Sequence, residues 1–113
     1  MAVYVVNLVI DQGADFTQTF NLEEDATASA LDLTGYTGAA QLRKHSSSKK
    51  KFDFNVAFPD RENGIVRLDM TDTVTSSIKP GRYVYDLLLT ASGGVRTRIV
   101  EGSALVREGA TRI

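Results

Sequence analysis

Ile78-Lys-Pro-Gly-Arg-Tyr-Val-Tyr-Asp-Leu-Leu-Leu89 is the most patterned stretch of this chain, and its reading decides the fold class. Pro80-Gly81 is a turn, because proline presets φ and glycine accepts conformations closed to other residues. Directly after it, Tyr83, Tyr85, Leu87 and Leu89 share one face of a period-2 strand, with Val84 and Leu88 on the other. A strand apolar on both faces belongs in the middle of a sheet. The chain is therefore read as all-β, with this strand at its centre.

Working outward, the same alternation recurs. Val3 to Ile10 is nearly continuous β-branched and aliphatic sequence, closed by the turn signal Asp11-Gln12-Gly13. Phe16, Phe20 and Leu22 face one way, against Thr17, Thr19 and Asn21. Glu23, Glu24 and Asp25, with the small residues to Ala30, read as an exposed loop, and Leu31-Asp-Leu-Thr-Gly35 as an apolar staple and turn. Tyr36, Ala40 and Leu42 point inward in the next strand. Phe52, Phe54, Val56 and Phe58 then alternate strictly with polar or small residues, followed by a turn ending in Asn63-Gly64. Ile65 to Thr71 returns as a strand burying Val66, Leu68 and Met70. Thr71-Asp72 caps a single helical turn carrying Val74 and Ile78, suited to crossing from one sheet to another. Beyond the central strand, Ala91 to Gly94 makes a hairpin. Val95 to Arg107 is a long last strand with Gly102 as a candidate bulge. This amounts to about seven strands in hairpin-type succession, which predicts an antiparallel sandwich with one short helical turn before the penultimate strand.

The 113 residues suffice for one domain, read as 1–107, with 108–113 a short tail ordered by a partner. Composition is that of a globular chain: 42% hydrophobic, with a formal net charge of −1. So weak a charge gives no global reason to seek nucleic acid or an anionic membrane. With no cysteine, disulfides, thiolate metal sites and cysteine nucleophiles are excluded. No run approaches the ~18 apolar residues of a membrane-spanning helix, and no cationic leader opens the chain. A soluble protein without a secretion signal is expected.

Candidate sites are few. His45 is the sole histidine, which excludes a two-histidine metal site, and its place in a Ser/Lys loop reads as solvated. Arg43, Lys44, Lys49, Lys50 and Lys51 form a local basic patch, the candidate partner-contact loop. It fits an acidic protein surface, a phosphate or nucleic acid, or a solubilising loop whose lysines keep edge strands from pairing. No aromatic is interleaved, so protein contact or solubility is favoured over nucleic acid. Glu23, Glu24 and Asp25, and Asp60 with Glu62, are polar clusters lacking the desolvation that acid–base chemistry needs and the regular spacing of a calcium loop. Asp86 and Glu101 interrupt apolar strands. A cross-strand ion pair of Asp86 with Arg96 or Arg98 explains Asp86 most simply, and a subunit contact is the sharper alternative. Gly93-Gly94 opens no helix and cannot cradle phosphate. No catalytic, cofactor-binding or metal-ligating set is assigned, no cofactor is expected, and the chain is read as non-enzymatic.

The Gly81-x-Tyr83-x-Tyr85 spacing resembles the tyrosine corner of immunoglobulin-like sandwiches. In that likeness Pro80, Gly81 and Tyr83 are the structural corner, and Tyr85 stands where antibody domains place a cysteine. More widely, Ile10-Asp-Gln-Gly-Ala-Asp-Phe-Thr17, Leu31-Asp-Leu-Thr-Gly-Tyr36, Lys79-Pro-Gly-Arg-Tyr-Val-Tyr-Asp86 and Arg98-Ile-Val-Glu-Gly-Ser103 are similar to small immunoglobulin-like virion structural proteins of tailed phages of the marine and cyanophage type. The resemblance spans roughly Val6 to Arg107, and the Lys49–Lys51 loop lies outside the recurring pattern. It implies a tail, baseplate or fibre-attachment adaptor that binds other virion proteins, in multiple copies, in a virion assembled in the host cytoplasm. Capsid decoration is the alternative within that class. A carbohydrate or host-surface binding module is the alternative outside it, with Tyr4 and Tyr36 as its uncommitted aromatics.

Overall fold

The computed structural model describes residues 3–24 and 29–111. Eight strands and one helical turn follow the chain: β1 Tyr4–Val5, β2 Leu8–Asp11, β3 Phe16–Asn21, β4 Thr37–Arg43, β5 Phe52–Asp60, β6 Ile65–Met70, α1 Asp72–Ser76, β7 Gly81–Thr90 and β8 Arg96–Arg107. They form one curled, mixed sheet in the order β1-β8-β7-β4-β5-β6-β3, with β2 also alongside β8. The all-β reading holds, and β7 is interior, flanked by β8 and β4. Its inward residues Tyr83, Tyr85, Leu87 and Leu89 are buried together with Phe16 and Phe20 of β3 and Val66, Leu68 and Met70 of β6. The sheet thus closes over a single core.

Three expectations need correction. The N-terminal segment is two strands, and both run parallel to β8, so the sheet is mixed and not wholly antiparallel. From β2, beside the last strand, the chain crosses to β3 at the other end of the strand order.

The bulge in β8 is not at Gly102. The register slips between Leu87↔Val100 and Leu88↔Arg98, which leaves Ile99 as the extra residue. Adjacent Ile99 and Val100 are both fully buried, which regular alternation forbids and a bulge permits.

The strict alternation of β5 does not translate into a uniformly buried face. Phe54 is buried, whereas Phe52, Val56 and Phe58 are only partly so. The strand pairs with β4 up to Phe54 and with β6 from Asn55 on, so it bends from one part of the curl to the other.

The helical turn lies where the chain crosses from β6 to β7. Thr71 is its N-cap, with extended backbone, and accepts from the Val74 N–H. Thr75 is fully buried: its Oγ1 donates to the Ala14 carbonyl at 2.9 Å and accepts from the Gly13 N–H at 3.1 Å. Gln12 Nε2 also donates to the Ile78 carbonyl at 3.0 Å. The α1 crossing and the β2–β3 turn are therefore joined by polar groups that would be costly to leave unpaired. Residues 25–28, within the segment read as an exposed loop, lie outside the described residues, as do Arg112 and Ile113 of the tail.

Candidate functional site

The outer face of the β1-β8-β7-β4 region and the hairpin below it gather most residues singled out from the sequence. Their arrangement begins with how the N-terminal strand is fastened. The β1 and β2 registers on β8 are continuous, since Tyr4↔Val100 and Leu8↔Ala104 have the same offset. Between them the ladder is rebuilt from side chains. The Val6 N–H donates to the Glu101 carbonyl, but the Val6 carbonyl turns inward and accepts from Tyr85 Oη at 2.6 Å. Asn7 Oδ1 accepts the Ser103 N–H in its place at 3.1 Å.

That inward turn requires Gly102. A Cβ there would collide with the Val6 carbonyl oxygen and lie 2.8 Å from its carbon. Burial pushes the Tyr85 hydroxyl up to about 12. Outside this seam the strand is open. Val3, Val5 and Val9 are 45%, 73% and 50% exposed, and among the described residues no strand pairs with the outer edge of β1 or β2.

Beside that edge, a shallow hollow on the outer sheet face is lined by Gln41, Arg43, His45, Asp86, Arg98 and Glu101, among others. The Asp86 carboxylate pairs with Arg98 Nε at 3.3 Å, while Arg96 stands opposite Thr90. Both members of the pair are substantially exposed, so the contact contributes about 0–1 kcal/mol. Glu101 lies directly opposite Asp86 across β7–β8.

At the lower rim, Arg43 Nη1 donates to the Ser48 carbonyl at 2.5 Å and Nη2 to Gln41 Oε1 at 2.7 Å. The Ser48 N–H donates to the His45 carbonyl, and Ser48 Oγ accepts from the His45 N–H. The Ser/Lys loop is thus a folded turn fastened by Arg43.

The five cations of the candidate partner-contact loop therefore have different fates. Arg43 is spent on loop carbonyls. Lys44 Nζ stands 5.0 Å from the centroid of the Tyr83 ring, and Lys50 Nζ 5.4 Å from that of Phe52. Lys51 bonds Asp53 at 2.7 Å and holds that carboxyl below its usual range. Lys49 has no side-chain partner among the described residues and faces solvent. The loop presents ammonium groups outward while its base is fixed.

The corner residues converge on one contact. Tyr83 Oη donates to the Lys79 carbonyl at 2.7 Å, across Pro80 and Gly81, and desolvation raises its pKa above the ordinary value. Gly81 has φ of 146° and lies under Lys44, whose Nζ would be 3.0 Å from a Cβ at that position. At the opposite end of the sheet, Asp32 accepts from the Thr34 hydroxyl and N–H, and these bonds hold its carboxyl low. Among the described residues no three His, Asp or Glu side chains gather as a metal site.

Sequence reasoning missed two anchors. Arg61, read only as part of a polar turn, donates from Nη1 to the Leu33 and Tyr36 carbonyls at 3.1 and 2.6 Å. Its guanidinium also stacks over Phe58, 4.1 Å from the ring centroid. This ties the Leu31–Tyr36 staple to the β5–β6 turn. Thr75 is the other. A β-branched hydroxyl one position from Val74 was the available signal, but its partners lie some sixty residues away.

No family model and no curated protein matches this chain. Among solved structures, it is similar to part of an internalin-like protein of Listeria monocytogenes, at 11% identity and a TM-score of 0.45, covering 95% of this chain and 28% of that one. It is also similar to part of a family 123 glycoside hydrolase from Clostridium perfringens, at 12% identity and a TM-score of 0.46, covering 100% of this chain and 24% of that one. The chain spans about a quarter of the length of each. Likeness at this level carries no argument about function.

Proposed function

We propose that this chain is a non-enzymatic structural adaptor of a tailed-phage virion, an immunoglobulin-like sandwich that binds other virion proteins in the tail, baseplate or fibre-attachment region. Three features favour the immunoglobulin-like description. The β2 strand runs parallel to the last strand, β5 passes from β4 to β6, and the Tyr83 hydroxyl closes a corner onto Lys79. The four stretches that resemble virion modules all build the frame. Ile10–Thr17 is the β2–β3 crossing, Leu31–Tyr36 the staple held by Arg61, Lys79–Asp86 the corner, and Arg98–Ser103 holds both the bulge at Ile99 and the Gly102 that admits the Val6 carbonyl.

The observation that carries the reading is the open N-terminal edge. Val5 of β1, Val9 of β2 and Val3 just before them have exposed side chains on a segment without lysine or proline, the residues with which edges are usually blunted. Such an edge accepts a neighbouring strand, as repeated protein assemblies require. The lysine hairpin is the second proposed contact, toward an acidic protein surface.

The test is peptide mass spectrometry of density-purified particles separated into heads and tails. The chain is expected in the tail-bearing fraction in small multiples per particle. Absence from particles would overturn the proposal, and hundreds of copies on tail-free heads would replace it with capsid decoration.

A further inference from the structure

The turn between β5 and β6 contains Asn63-Gly64, a dipeptide with a chemical weakness of its own. Glycine leaves its backbone nitrogen unshielded, so in a loose chain that nitrogen attacks the neighbouring asparagine side chain readily. We propose that Asn63-Gly64 is a deamidation site guarded by the fold, inert in the native turn and reactive once the chain opens.

The reaction balances without oxidant or cofactor. The Gly64 backbone nitrogen loses its proton and bonds to Cγ of Asn63. The Cγ–Nδ2 bond breaks and Nδ2 leaves as ammonia. Water then opens the cyclic imide at either carbonyl, which gives aspartate or isoaspartate at position 63.

Each group in this step is held elsewhere in the native turn. The Gly64 N–H donates to the Arg61 carbonyl at 3.2 Å, so the nucleophile closes the turn and does not face the side chain. Asn63 Nδ2 donates to Asp60 Oδ2 at 2.7 Å, which turns the amide toward Asp60. Gly64 is buried with φ of 70°, and its carbonyl accepts from the Leu22 N–H at 2.8 Å. Arg61 is itself fixed, since its carbonyl also accepts from the Leu33 N–H and its guanidinium holds Leu33 and Tyr36. Bringing the Gly64 nitrogen onto Cγ therefore requires breaking the turn bond, the Asp60 contact and the seat on Leu22 together.

The products would not fit the same turn. Aspartate at 63 places a second carboxylate where the amide meets Asp60. Isoaspartate adds a backbone atom and draws Gly64 away from Leu22. A chain modified while open would refold less well, so this turn converts time spent unfolded into lasting damage.

The experiment incubates the intact protein in mildly alkaline buffer, folded in one arm and in urea in the other, and follows peptide 63 by mass spectrometry. Acid at position 63 is expected to accumulate in urea and to form more slowly in the folded arm by at least about tenfold, the least that losing even one of those three contacts would impose. Equal rates in the two arms, or no conversion at 63 in urea, would overturn the guard. Asn63→Asp tests the second half: a lowered thermal midpoint is expected, and a midpoint equal to that of the parent chain would overturn it.

Discussion

The seam of the N-terminal strand and the lysine hairpin lie on the same half of the sheet and use polar groups in opposite ways. At the seam, one carbonyl, one phenol and one missing side chain interlock: Val6, Tyr85 and Gly102. In the hairpin, Lys44, Lys50 and Lys51 rest on rings or a carboxylate at the surface, and only Arg43 is committed to backbone. Partners at the seam are specific and costly to lose, because each buried group has no substitute. Partners in the hairpin compete with water. The fold is therefore fixed at the seam, while the lysine side chains of the hairpin hold only surface contacts.

The sharpest way to break this contrast is Gly102→Ala. A methyl group there meets the Val6 carbonyl, so the strand must lift or the Tyr85 bond must go. The expected cost is about 3 kcal/mol, the upper end for overpacking, read as a lower urea midpoint. A neutral result would show that the N-terminal strand is not integral to the fold.

Tyr85→Phe comes next, at about 2 kcal/mol, since it removes the donor to an inward-facing carbonyl and leaves packing in place. The variant also sharpens the pH behaviour. An unfolded tyrosine ionises near 10, whereas Tyr85 in the fold does so at about 12. Folding favours the neutral phenol, so this contribution is intact below about 10 and falls as pH rises toward about 12. Stability measured across that window should decline less steeply in the variant than in the parent chain.

Much of this was readable from residue order, and the limits have physical reasons. Period-2 alternation exposed β7 and β6 because their neighbours lie on both sides and one face is sealed. Thr71 was legible as a cap because capping is local. The same alternation misled in β5, since it reads identically whether a strand stays with one partner or changes partners midway. The bulge had a visible signal in the consecutive apolar pair Ile99-Val100, whereas Gly102 drew attention for its flexibility. Its true reason is a carbonyl from the other end of the chain. Parallel pairing of β1 and β2 with β8 has no local signature either. Of the outer face, the Asp86–Arg98 pair was foreseeable from strand neighbours. The clamp by Arg61 was not, because an arginine in a polar turn looks like solvated surface.

Tyr83→Phe separates the two tyrosines of one strand. Its hydroxyl bonds Lys79, whose residue is exposed, so water can reach the carbonyl once the phenol is gone. The expected loss is about 1 kcal/mol, less than at Tyr85. A loss equal to that of Tyr85→Phe would show that the corner is sealed as deeply as the seam.

The smallest effect is expected at the hairpin. Lys51 and Asp53 are close, at 2.7 Å, but their side chains are 42% and 61% exposed. Lys51→Ala should change stability by under about 0.5 kcal/mol, as exposed pairs do. What should move is Asp53 itself, since its bond to Lys51 is the main reason its carboxyl is held low. In the variant, an NMR titration should find Asp53 closer to the ordinary carboxylate value near ~3.9. The sign follows: a depressed carboxyl stabilises the fold above its unfolded value and ceases to do so as pH falls through the folded one. Solvent screening keeps that contribution small. A cost above about 1 kcal/mol in neutral buffer would erase the contrast, because the hairpin would then belong to the framework and its lysines could not be spared for a partner.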